Sequence, residues 1–293
     1  MINYNSPNDI RAFLDSNGMG MRKKFGQNFL IDPAIRSRLL DALDVKKGDE
    51  VWEVGAGLGA MTAMLLERNV NVTAFEIDPF FIRMLKEFFG TEGAFRLIEG
   101  DILKTWRSVY TGEENFFLFG NLPYNIAALL LADFIEEKRF FKRMVVTVQR
   151  EVARRMTALP GSKDYSSFTV LCTSVYKISP LQVIKGASFY PAPRVESQGV
   201  CLNLLSPKSE PPMLFYPMVR SLFSSRRKSI RNTLFKFACQ VIINRNSSCI
   251  KEIIAEVLQK TGIKGERRPE TLEINEFKTL AVLLENYTKG KSV

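Results

Sequence analysis

Residues 50–59 read Glu-Val-Trp-Glu-Val-Gly-Ala-Gly-Leu-Gly, and this stretch decides the fold. Glu50 to Val54 carries β-branched and aromatic side chains and predicts a strand, the glycines after it predict a tight turn, and Ala60 to Arg68 has helical periodicity. A strand running through glycines into a helix lets backbone N–H groups approach a ligand closely. Outward from it, Val72 to Glu76, Phe95 to Ile98, Phe116 to Phe119 and Met144 to Val148 predict further strands. Pro79 to Phe89 and Ile126 to Glu137 predict helices between them, with Pro79 suited to a first helical turn. Strands alternating with helices imply an α/β fold, a mostly parallel sheet covered on both faces.

After Gln149 the pattern continues with a helix near Glu151 to Met156 and two strand-like runs, Phe168 to Tyr176 and Gly199 to Leu204. Ser206 to Pro212 reads Ser-Pro-Lys-Ser-Glu-Pro-Pro, a linker by its prolines and polar residues, and only helical periodicity follows it. The expected domains are therefore 1–205, α/β, and 206–293, small and helical. Charge divides in nearly the same place: residues 1–204 hold 25 Lys and Arg against 23 Asp and Glu, whereas residues 205–293 hold 16 against 8. A net of +8 in the last third suits a polyanionic partner, since clustered cations displace counterions from phosphates; a solvated basic face has the same composition.

The 293 residues include no histidine, and the four cysteines form no Cys-x-x-Cys pair. A Cys/His zinc site, a Ser-His-Asp triad and a histidine general base are excluded, and no metal is expected. The N-terminus carries Asp9 and Asp15 and lacks an apolar core of roughly 7 to 15 residues, so no signal or transit peptide is expected. No run approaches the roughly 18 apolar residues of a membrane span. Reduced thiols and a cytoplasmic location follow.

Seventeen residues after Gly59 stands Glu76, at the end of the next predicted strand, where a carboxylate can accept bonds from both hydroxyls of a ribose. Gly55, Gly57 and Glu76 thus describe a nucleoside-bearing cofactor without saying which, because Gly55, Gly57 and Ala60 also satisfy the dinucleotide pattern. Asp101 lies just past the third strand, where it can accept from an adenine amine or merely cap a helix. Asn121-Leu122-Pro123-Tyr124 directly follows the fourth strand. Adenine N6 is a poor nucleophile because its lone pair is delocalised into the ring. Two acceptors, the Asn121 side-chain oxygen and the Leu122 carbonyl, can take its two N–H bonds and favour the pyramidal amine. Pro123 restricts the backbone that aims that carbonyl, and Tyr124 offers a face for stacking. An Asn-Pro turn without catalysis is the plain alternative.

These residues resemble the KsgA family of ribosomal RNA adenine dimethyltransferases over nearly the whole chain. Lys23 to Leu30, Lys-Lys-Phe-Gly-Gln-Asn-Phe-Leu, is similar to the family's opening block; Gln149 to Ala153 and Pro160 to Tyr165 to later ones. Phe189 to Ser197 matches its F-x-P-x-P-x-V-x-S loop, Phe223 to Leu234 its F-x-x-R-R-K-x-(L/I)-x-N-x-L block, and Arg268 to Leu272 its R-P-E-x-L. After Asn125-Ile126, where the family often has Ser or Thr, this chain has Ala127 and Ala128.

The resemblance implies a Rossmann-like class I S-adenosylmethionine-dependent methyltransferase domain with a small C-terminal helical domain. Its cofactor site would comprise Asn28 and Leu30 at the methionine end, Gly55 and Gly57 on the loop, Glu76 on ribose, Asp101 on adenine, and Asn121 bordering the target. Phe189 would close over the target base opposite Tyr124. The substrate would be 16S rRNA within the 30S subunit or its precursor, dimethylated on two adjacent adenosines near its 3′ end by a monomeric enzyme. If Phe223 to Phe237 is one helix, Phe223, Ile230, Leu234 and Phe237 form an apolar stripe, with Arg227, Lys228 and Arg231 on one flank and Arg226 on the other, placed to track RNA phosphates.

Three other readings compete. An Erm-type enzyme of 23S rRNA shares the fold and a similar motif, but Asn-Leu-Pro-Tyr-Asn-Ile and the block at 223–234 favour the KsgA side. A non-catalytic RNA-binding, assembly or transcription factor on the same fold would not need Asn121, Tyr124, Glu76 and Asp101 together. A small-molecule or DNA methyltransferase fits the basic last third less well.

Overall fold

The computed structural model describes residues 2–19, 28–110, 116–206, 210–243 and 245–288. Residues 23–27 of the predicted opening block and 207–209 of the linker lie outside the described residues. The chain divides into two compact units, Met1–Ala153 with Lys177–Leu204, and Arg154–Tyr176 with Leu205–Val293.

The first unit opens with α1 (Pro7–Ser16), β1 (Phe29–Leu30) and α2 (Pro33–Leu43). Each helix starts on a proline beneath a side-chain cap: Ser6 accepts from Asp9 N, and Asp32 accepts from Ala34 N and Ile35 N. Then come β2 (Glu50–Val54), α3 (Ala60–Glu67), β3 (Asn71–Glu76), α4 (Pro79–Phe89), β4 (Phe95–Glu99), α5 (Ile102–Val109), β5 (Phe116–Asn121), α6 (Ala127–Glu136), β6 (Arg143–Gln149) and α7 (Arg150–Met156). After the excursion into the second unit, β7 (Tyr176–Ile184), β8 (Phe189–Tyr190) and β9 (Ser197–Leu204) complete the unit.

Seven strands form one sheet in the order β4-β3-β2-β5-β6-β9-β7, parallel from β4 to β6, with β9 antiparallel to β6. From β2 the chain winds outward to β3 and β4, then returns to β5 on the other side. The crevice beyond the carboxyl ends of β2 and β5 is therefore the topological switch point, where such sheets bind ligands. Alternation along the strands feeds two cores. Val51, Val72, Ala74, Phe117, Phe119 and Val145 pack with Leu39, Leu40, Met61, Leu65 and Leu85 of α2, α3 and α4. On the other face Trp52 meets Phe75, Phe116, Phe134 and Phe141, and Trp106 of α5 meets Phe134 of α6.

The second unit holds α8 (Ser167–Val175), α9 (Phe215–Phe223), α10 (Ile230–Val241), α11 (Ser247–Thr261) and α12 (Ile274–Thr288). Here the structure departs from the sequence reading in three places. The run Phe168 to Tyr176, read as a strand, is α8: Ser166 and Thr169 form a capping box that nucleates a helix despite the β-branched content. Because α8 packs on α9 and α12, residues 154–176 belong with the C-terminal helices, and the expected continuous domain 1–205 is interrupted. Lastly, Phe223 to Phe237 is not one helix. Phe223 ends α9, Ser224 Oγ donates to Ser221 O at 2.7 Å, and the chain turns through Lys228 N to Ser225 O before α10 begins at Ile230. Ile230, Leu234 and Phe237 do form a buried stripe on α10, whereas Phe223 packs separately between Tyr165 and Phe277. Among the described residues no helix is long and apolar enough to cross a membrane.

Candidate active site

Beyond the switch point lies a cavity of about 330 Å³ lined by residues from every strand end around it. Its walls include Asn28, Leu30, Gly55, Gly57, Glu76, Asp101 and Asn121, of which Asn28 and Leu30 were expected from the family resemblance alone. Gly57, at φ +56°, turns its N–H onto Glu76 Oε2 at 2.8 Å. Gly59, at φ +83°, admits no side chain, because a Cβ there would stand 2.4 Å from the Phe89 ring. Glu76 Oε1 accepts from Ile77 N and Asp78 N at 2.8 and 2.9 Å. Burial raises this carboxyl above its ordinary range, opposed by those three N–H bonds. Its orientation is thus fixed by the main chain while its edge faces the cavity.

Asp101 caps a helix, one of the two roles that its position allowed. Its Oδ1 accepts from Leu103 N at 3.0 Å, capping α5, and the residue also lines the cavity. Asn121 Nδ2 donates to the Asn28 carbonyl at 2.8 Å, tying the end of β5 to the segment before β1, and Asn121 Oδ1 accepts from Thr147 Oγ1 at 2.5 Å. Leu122 is buried and its N–H donates to Thr147 O; among the described residues nothing donates to its carbonyl. Tyr124 is half-buried with its hydroxyl 2.6 Å from Ser197 Oγ; Pro123 and Asn125 line the cavity, and Tyr124 does not. The helix after the motif, α6, starts at Ala127 behind Ile126, an N-cap whose side chain has no acceptor to offer.

Phe189 departs from expectation. It is 3% exposed, pairs with Leu30 between β1 and β8, and belongs to the core rather than to the cavity wall. In the second unit, Arg226 is committed to its own fold, bonding Glu270 Oε2 at 3.1 Å and Tyr165 O at 2.9 Å. Arg227 and Lys228 are exposed on the turn, and Arg231, on the first turn of α10, pairs with Glu266 at 3.0 Å on the surface.

Sequence reasoning assigned no role to several residues that the structure brings here. Glu53, inside β2, lines the cavity, accepts from Thr62 Oγ1 at 2.6 Å and is pushed up by burial to about 7. Its signal was a charge between Trp52 and Val54 in a buried strand. Tyr4 also lines the cavity, donates to Leu58 O at 3.0 Å and is pushed up by burial to about 12. Nothing local in the sequence marks it.

Three carboxylates, Glu53, Glu76 and Asp101, line this cavity, and no Lys or Arg does among the described residues. A dinucleotide-binding loop keeps its N–H groups for a pyrophosphate; here that of Gly57 is taken by Glu76. The strand order around this crevice is that of the Rossmann-like methyltransferases. No cluster of three or more possible metal ligands occurs among the described residues.

Comparison with known proteins narrows the class. The family model for ribosomal RNA adenine dimethylase matches residues 18–279, and the chain belongs to that family. Ribosomal RNA small subunit methyltransferase A of Treponema denticola is 43% identical over 288 residues, 96% of each chain. The protein of that name from Borreliella burgdorferi is 40% identical, covering 98% of this chain and 96% of its own. Among solved structures, a dimethyladenosine transferase from Plasmodium falciparum superposes with a TM-score of 0.72 at 28% identity, over 88% of this chain and 97% of that one. The 23S rRNA methyltransferase ErmE, with a TM-score of 0.61 at 21% identity over 87% and 99%, shares the fold.

Proposed function

We propose that this methyltransferase uses S-adenosylmethionine to methylate N6 of two adjacent adenosines in the 3′-terminal hairpin loop of 16S rRNA, giving N6,N6-dimethyladenosine. The observation that carries the reading is the acid-lined cavity, free of Lys and Arg among the described residues, that meets the Asn121 amide at the end of β5. S-adenosylmethionine, when bound, supplies a methyl on a positively charged sulfur, so that the sulfur leaves neutral and N6 gives up one proton. Glu76 would hold the ribose hydroxyls, Asp101 the cofactor's adenine amine, Gly55 and Gly57 the loop face, and Asn28 and Leu30 the methionine end.

The chain's own part is alignment. Asn121 Oδ1 keeps one lone-pair direction beyond Thr147, and the Leu122 carbonyl supplies a second acceptor, so the two N–H bonds of the target amine can both be taken and its lone pair freed. Tyr124 gives the base a face. No histidine is required, because a methylated N6 is acidic enough to lose its proton to water. The second unit, the helical rRNA-binding domain, would hold the substrate through Arg227, Lys228 and Arg231, with Arg226 bracing their turn from inside. The enzyme would work as a cytoplasmic monomer on 16S rRNA within the 30S subunit or its precursor.

The test is transfer of labelled methyl groups to purified 30S subunits lacking the modification, followed by nucleoside analysis. Label in N6,N6-dimethyladenosine of 16S rRNA is expected. Label only in other nucleosides, or none with cofactor bound, overturns the assignment.

A further inference from the structure

Strands β6 and β9 lie side by side and antiparallel, with Thr147 opposite Gly199 and Gln149 opposite Ser197. Thr147 and Ser197 therefore occupy diagonal positions on one face of the sheet. Both are buried, at 1% and 0% exposure. Thr147 interrupts the otherwise apolar run Met144 to Val148, where a hydroxyl is costly unless it is bonded. Three other buried hydroxyls serve the backbone, with Thr169 donating to Arg155 O, Ser174 to Leu171 O and Thr233 to Ser229 O, while that of Thr62 holds the Glu53 carboxylate. Among the described residues, those of Thr147 and Ser197 bond no main-chain atom. Each instead holds one polar side chain of the Asn-Leu-Pro-Tyr motif, Asn121 Oδ1 at 2.5 Å and Tyr124 Oη at 2.6 Å.

The Asn121 amide shows what such a contact does. The Asn28 carbonyl can only accept, so the group 2.8 Å from it must be Nδ2, and Oδ1 must then face Thr147. With Thr147 occupying one lone-pair direction, the remaining one is fixed in space. Ser197 likewise tethers the far end of the Tyr124 ring, which sets the tilt of its face. Alignment within fractions of an ångström is what transfer to a weak nucleophile demands.

We propose that Thr147 and Ser197 are positioning residues for methyl transfer, two buried hydroxyls on adjacent strands that hold the amide and the ring of the motif in register for the target base. The inference rests on the functional reading given above. Its test compares Thr147→Val, Thr147→Ser, Ser197→Ala and wild type in single-turnover and steady-state methylation of unmodified 30S subunits, with calorimetric binding of S-adenosylmethionine and thermal melting of each protein.

Thr147→Val should lower kcat about tenfold or more, the rate equivalent of losing one aligned hydrogen bond. KM and affinity for the cofactor should not change, and Thr147→Ser, which keeps the hydroxyl, should regain most of the rate. Ser197→Ala should lower kcat and raise KM for the 30S subunit while leaving cofactor affinity intact. Wild-type turnover in both Thr147→Val and Ser197→Ala, or losses that merely follow melting temperature in Val and Ser variants alike, overturn the positioning role. Wild-type protein that binds cofactor yet leaves 30S unmethylated overturns the functional reading, and this role with it.

Discussion

Glu53 is a carboxylate where β2 would otherwise be apolar, 2% exposed and bonded to Thr62. Burial is the largest cause of its rise from the ordinary 4.5 to about 7, reinforced by the nearby charge of Glu76 and opposed by the Thr62 hydrogen bond. Between those two values the folded protein holds a proton that the unfolded chain has lost, so Glu53 makes stability fall as pH rises from 4.5 to about 7. Urea denaturation should therefore show Glu53→Gln gaining stability relative to wild type across that window and no further above it. A difference that stays constant with pH would mean that Glu53 does not titrate there. At this scale the site was legible wherever a residue sits at a strand end, because topology alone carries Gly57, Glu76, Asp101 and Asn121 to one crevice. Phe189 was not, since a phenylalanine in a proline-rich loop reads the same whether it faces a base or the core. Its pairing opposite Leu30 decides, and pairing between residues 159 positions apart leaves no local trace.

At the scale of elements, the five parallel strands and the three helices predicted between them stand within a residue or two of their predicted ends, because each combines a hydrophobic pattern with a turn or cap signal, whereas α5 was not predicted. The basic block at 223–234 shows where periodicity misleads. Its apolar spacing fits one helix, yet the N–H groups of Ile230 and Arg231 bond the carbonyls of Arg267 and Gly265 at 2.7 and 3.0 Å, so α10 begins there and the cations before it ride on a turn. This revises where the charges sit without removing their exposure. Replacing Arg227, Lys228 and Arg231 by Gln should weaken 30S binding and flatten its dependence on log salt by up to about 2 to 3 units if each neutralises one phosphate. Cofactor binding and helical content should persist, since Arg227 and Lys228 lie outside the helices and Gln at position 231 has a helix propensity close to that of Arg. An unchanged salt slope would leave them a solvated face.

On the scale of the whole molecule, the linker after Leu205 was visible in its prolines, but the loan of residues 154–176 to the second unit was not, because those residues are locally no different from their neighbours. The consequence can be measured. A chain ending at residue 205 keeps α8, whose buried Phe168, Val170, Leu171, Cys172 and Val175 lose α9 and α12 as cover. Such a fragment should bind a dye specific for exposed apolar surface and melt with less cooperativity than the full chain. Melting as sharp and as high as that of the full chain would show that the two units are separable at the linker. The same interleaving bears on heredity. A module whose parts occupy two stretches of a gene is not passed on by one crossover, so a recombinant that borrows this helical unit must exchange both stretches together. Single-breakpoint hybrids joined at the linker would pair one lineage's α8 with another's α9 and α12, and would survive only where those three helices had not diverged.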